Sequence, residues 1–185
     1  MGATPREARL FQTPELAGVR LASELWAEVL AVAELDNLEE YEPARSQMLF
    51  EANFFTAAYV IYNSRRWYSE LSLRRIFADA LREQFVLLAA VATNSMDDSA
   101  FRAGCESLLN RREEEYRLTR ASLQMRLLRL FVGGKLPDEV FLTGRIKVAF
   151  SQHQLSVAPP ALDRFAKRVV TKVHRGTAGF FRASK

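Results

Sequence analysis

The chain has 185 residues, of which 49% are hydrophobic and 26% charged, and its formal net charge is +4. This balance excludes a disordered or fibrous chain, and the length suits one domain with a substantial core. The single cysteine, Cys105, excludes an internal disulfide and a cysteine-rich zinc site, and fits a reducing, cytoplasmic compartment.

Net charge hides an asymmetry. Residues 1–100 hold nine Lys/Arg against fifteen Asp/Glu, a net of −6, whereas residues 101–185 hold seventeen against seven, a net of +10. Such polarity fits a polyanion-binding end, or two halves that attract each other within a molecule or between copies. Gly and Pro are scarce, so helix is favoured throughout.

Residues 1–12 have no apolar run of the secretory kind and are expected to form a flexible arm. Thr13-Pro14-Glu15 then starts a first helix, with Thr as N-cap, Pro at the first helical position and a carboxylate near the positive dipole end. Its apolar face runs through Leu16, Val19, Trp26, Leu30 and Ala33 to about Leu35. An acidic connection follows, with Glu34, Asp36, Glu39, Glu40 and Glu42, and it lacks the residue order of a calcium loop.

The second helix, about 43–65, contains MLFEANFFTAAYVIY and is apolar on nearly every side. A helix of that kind must be enclosed by its neighbours. It is therefore predicted to be the central element of an all-α, single-domain bundle of about six helices. Glu51 and Asn53 are its polar exceptions, and Arg82 on the third helix is the expected partner of Glu51. The stretch is too short for a membrane span. A third helix, roughly 68–93, carries Glu70/Arg74 and Arg75/Asp79 at i,i+4 spacing. Short loops make the first four helices expected antiparallel neighbours.

The fourth helix is predicted from Asp98 to about Val132, with Cys105 on its apolar face and Gly133-Gly134 as its stop. Pro137-Asp138-Glu139 starts a fifth, to about Ser151, and 152–160 is a loop. The sixth, Ala161–Arg175, is expected to close with Gly176 as cap. The bundle would thus span 13–176, with 177–185 a tail holding Phe180 and Phe181.

The sixth helix is the most distinctive surface element. Leu162, Phe165, Ala166, Val169, Val170 and Val173 form one face, and Arg164, Lys167, Arg168, Lys172 and Arg175 crowd the other. Such a face suits the phosphates of RNA or DNA, or an anionic membrane with Phe180 and Phe181 inserted. The alternative is a terminal helix whose basic side meets the acidic end of the same molecule. A second candidate is Arg65, Arg66, Trp67 and Tyr68, where aromatics interleave with arginines. They could stack bases, or they could cover the end of the core.

The chain carries no catalytic or cofactor motif, no Glu-x-x-His pair, and only two histidines, so no metal or cofactor is expected. Val132-Gly133-Gly134-Lys135 lacks the spacing and the Ser/Thr of a phosphate loop. The expected function is non-enzymatic: a helical interaction or scaffold protein whose basic C-terminal third contacts an anionic partner, nucleic acid first and membrane second. Two alternatives stand beside it. One is a protein–protein adaptor or homo-oligomerisation module. The other is a bundle holding a small apolar ligand near Phe54, Phe55 and Phe85.

Overall fold

A computed structural model of the chain describes residues 13–36, 44–122, 136–152 and 160–182. It is an all-helical bundle of α1 (Pro14–Leu35), α2 (Ala44–Asn63), α3 (Leu71–Ala92), α4 (Ser99–Ala121), α5 (Leu136–Gln152) and α6 (Pro160–Arg182). A short 3-10 turn, Ser64–Arg66, extends α2, and no strand occurs among the described residues. The N-terminal arm, most of the acidic connection and the Gly133-Gly134 stop lie outside them.

Local chemistry sets the helix ends. The Thr13 hydroxyl accepts from the Leu16 amide at 3.3 Å, and the Asp98 carboxylate accepts from the Phe101 amide at 2.9 Å, each satisfying an orphan donor of a first turn. At the end of α3, Asn94 takes a left-handed conformation (φ 54°). The Asn94 and Ser95 amides then reach back to the Val91 and Ala90 carbonyls, which forms a Schellman cap.

The central position of α2 follows from its sequence. Residues 51–60 are all buried, and α2 touches each of the other five helices. Phe54 and Phe55 are filled-in core: Phe54 stacks on Phe50, and Phe55 meets Tyr59, Tyr116 and Phe141, while Phe85 lies against Trp26. The broadest helix contact is α1 on α3 rather than between consecutive helices. Gly18 makes it feasible, since a Cβ there would fall 2.6 Å from the Phe77 carbonyl oxygen. Two backbones touch where only glycine leaves room.

Two helix ends differ from the sequence expectation. The fourth helix stops at Ala121, because Ser122 is extended (ψ 144°), and residues 123–132 lie outside the described part. The sixth continues through Gly176 to Arg182, so the expected tail is largely helix. Gly176 is not a cap but a contact point on α1, where a Cβ would lie 2.9 Å from a Leu25 methyl. Beyond it, Thr177, Phe180 and Phe181 extend the buried face of α6 by two turns.

Candidate functional site

The ten apolar and small positions of α6 from Ala161 to Phe181 that face inward are buried, which leaves the basic residues on its solvent side. All five predicted polyanion contacts, Arg164, Lys167, Arg168, Lys172 and Arg175, are exposed, but they divide into two groups. Arg168 pairs with Asp36 at 2.5 Å and Lys172 with Glu28 at 2.8 Å, so this flank is clamped to α1. Arg164, Lys167 and Arg175 have no carboxylate within 4 Å among the described residues. Phe180 and Phe181, expected to be available to a membrane, are instead core residues.

The second predicted group gathers at the end of α2. The Arg65 guanidinium lies 4.6 Å over the Tyr62 ring and donates to its hydroxyl at 3.2 Å. Trp67 stacks on Phe181, with centroids 3.9 Å apart and planes 7° from parallel, and Tyr68 packs on Phe77 and Phe181. Trp67 and Tyr68 thus close the core end, and one face of the Trp67 indole is already occupied. Arg66 and Trp67 of this quartet border a cleft, and Arg66 has no partner carboxylate among the described residues.

Two buried polar clusters stand behind these surfaces. In one, the Arg112 guanidinium donates to both Glu51 oxygens at 2.7 and 2.5 Å, both side chains being 5% exposed. Arg145 approaches the same carboxylate at 3.4 Å, and Glu115 pairs with Arg112 at 3.0 Å. The expected Glu51–Arg82 pair is therefore replaced, because Arg82 turns to Glu113 at 2.6 Å and Asp79 at 2.8 Å. Asp79 accordingly pairs three residues ahead rather than back to Arg75.

The other cluster centres on Asp138, which is fully buried. Its Oδ1 accepts from the Tyr116 hydroxyl at 2.6 Å and from Arg120 at 3.1 Å, while Oδ2 lies 2.7 Å from His174 Nε2. Tyr59 stacks on the His174 ring at 4.5 Å and holds its plane. Burial, reinforced by the Asp138 charge, pushes the Tyr59 phenol up to about 12 from its ordinary value of 10.0. The same causes raise the Tyr116 phenol further.

His174 forms one wall of a cleft of about 300 Å³ between the ends of α2 and α6. Arg66 and Arg182 line it with Trp67 and Phe181, and no carboxylate does among the described residues. Thr177 also lines it; this residue is 1% exposed and its hydroxyl has no hydrogen-bond partner. Asp138 and His174 share the geometry of a base and its orienting acid. However, no hydroxyl or thiol hydrogen-bonds the imidazole among the described residues, and an activated nucleophile needs one. Cys105 is buried on α4, and burial raises its thiol, so it packs as a core residue. No group of three or more His, Cys, Asp and Glu gathers as a metal site among the described residues.

The sequence held partial signals for the Asp138 cluster. His174 sits at the edge of the apolar face of α6, and Tyr116 interrupts a charged run on α4. Nothing local linked either to a carboxylate in the first turn of α5, where acids ordinarily face solvent. Compared with known protein families, curated proteins and solved structures, the chain matches none.

Proposed function

We propose that this protein is a non-enzymatic helical binding module that contacts the phosphate backbone of nucleic acid through the solvent face of α6. The observation that supports this reading is the row Arg164, Lys167 and Arg175: exposed, on one side of a packed helix, and free of carboxylate partners among the described residues. Its ends are eleven positions apart, a span of about 16 Å along the helix axis. A rigid cationic row of that length suits sequence-independent phosphate contacts and offers nothing for reading bases.

Nucleic acid is favoured over a membrane by the burial of Phe180 and Phe181 and of the whole apolar side of α6. An interfacial helix needs its apolar face for lipid, and here that face is committed to the bundle. No helix among the described residues is long and apolar enough to cross a membrane.

Fluorescence anisotropy with short labelled RNA and duplex DNA tests the proposal. Three phosphate contacts give a salt slope of about −2.7, so affinity falls about 40-fold between about 50 and 200 mM salt. Changing Arg164, Lys167 and Arg175 together to Glu abolishes binding on this account. Two results reject it: no binding at low salt, or a triple variant that binds like the unaltered chain. Binding to anionic vesicles without binding to either nucleic acid rejects it in favour of a lipid surface.

A further inference from the structure

A separate feature, the cleft beside His174, has the chemistry of a ligand site. Its volume of about 300 Å³ is too small for a polymer and lies at the lower bound of small-molecule pockets. Arg66 and Arg182 stand at it with no carboxylate among the described lining residues to neutralise them. The nearest buried acid, Asp138, is already engaged by Arg120, Tyr116 and His174. The cleft is therefore cationic. Guanidinium forks match the paired oxygens of phosphate.

Thr177 supplies an independent observation. A threonine inside a helix commonly donates to the carbonyl one turn back, as Thr56 does to Ala52 at 2.8 Å and Thr93 to Ala89 at 3.0 Å. Thr177 makes no such bond although it is 1% exposed, so a residue of the cleft lining keeps a buried hydroxyl without a partner. A buried polar group without a partner is destabilising and needs an explanation, of which a bound ion or ligand is one. Trp67, stacked on Phe181, gives the same cleft an apolar wall for the body of a ligand. His174 is fixed between Asp138 and Tyr59, so this wall is preorganised.

We propose that this cleft binds a small phosphorylated molecule, with Arg66 and Arg182 on the phosphate, Thr177 donating to it, and the Trp67 wall against the ester group. The site is distinct from the row Arg164, Lys167 and Arg175, and its test does not depend on nucleic acid.

Trp67 is a built-in reporter, because Trp26 is the only other tryptophan. The full chain carrying Trp26→Phe is titrated with phenyl phosphate and with inorganic phosphate at constant ionic strength. Calorimetry on the unaltered chain reads the same binding without that substitution. The expected result is saturable binding of phenyl phosphate that weakens about tenfold or more in Arg66→Ala and in Arg182→Ala. Both residues are exposed, so neither change threatens folding. Thr177→Val weakens binding without lowering the thermal midpoint, a combination that a structural role would not give. Tighter binding of phenyl phosphate than of inorganic phosphate supports the ester. Equal binding of the two rejects the ester contact and reduces the site to one for the free anion. No saturation up to about 10 mM, or equal binding in both arginine variants, overturns the proposal.

Discussion

Glu51 and Arg112 form the most deeply buried bidentate ion pair in the described core, and its removal has a calculable signature. Each side chain is 5% exposed. Glu51→Leu strands a guanidinium in the bundle, where breaking a buried pair costs about 3–5 kcal/mol. Glu115 still reaches Arg112 at 3.0 Å, but its side chain is 36% exposed and compensates only in part. The lower end, about 3 kcal/mol, is expected. Arg112→Leu strands Glu51, which keeps Arg145 at 3.4 Å, and a similar or smaller loss follows. The double change Glu51→Leu/Arg112→Leu leaves Arg145 beside Glu115 at 3.7 Å and fills the space with apolar atoms. Replacing both partners of a buried pair is often neutral, so the double variant should lie within about 1 kcal/mol of the unaltered chain. Urea unfolding at pH 7, followed by far-ultraviolet circular dichroism, measures all four species. Glu51→Leu should melt about 6–12 °C lower in a chain of this size, and Arg112→Leu by that much or less. A single change that costs under about 1 kcal/mol, or a double that loses the sum of the two, refutes this account of the pair.

Gly18→Ala places a methyl against the Phe77 carbonyl at 2.6 Å. Overpacking of about 1–3 kcal/mol should outweigh the gain of about 1 kcal/mol in helix propensity, so the thermal midpoint falls; a rise refutes backbone contact between α1 and α3. Thr177→Val removes a buried hydroxyl without a partner and should stabilise the chain by about 1 kcal/mol, read by the same urea titration. The Tyr59 phenol titrates near 10 when unfolded and near 12 when folded, so the folded chain holds the proton longer. The stability this supplies is complete below pH 10 and disappears as pH rises through about 12, in all on the order of 2–3 kcal/mol. Tyrosinate absorbance against pH should show a late phase that Tyr59→Phe reduces, and an unchanged titration in that variant refutes the assignment.

Much of the architecture was legible because its signals are local. Thr13-Pro14 and Asp98 act within one turn of themselves, and the apolar run of α2 has no solution except enclosure. Gly176 misled for the same reason. After His174 and Arg175 it has the form of a cap, yet its missing side chain serves the approach of α6 to Leu25. The apolar spacing Val173, Thr177, Phe180 and Phe181 was the stronger signal that the helix goes on. The partner of Glu51 was not legible, since choosing among arginines 31 to 94 residues away requires the rotation of each helix about its axis. Asp138 was hidden by its position, because a carboxylate just after a proline at a helix start resembles a surface cap. The basic row was read from sequence, and the structure adds that Arg168 and Lys172 are clamped to α1 while the other three are not.

The clamp between α1 and α6 joins residues 132 and 144 positions apart. A ribosome adds about 5–20 residues per second, so α1 emerges many seconds before the helix that completes its flank. Throughout that interval the side of Leu25 that meets Gly176 of α6 in the finished fold stays uncovered. Nascent chains that have not yet made α6 should therefore expose this flank, and chains that have made it should not.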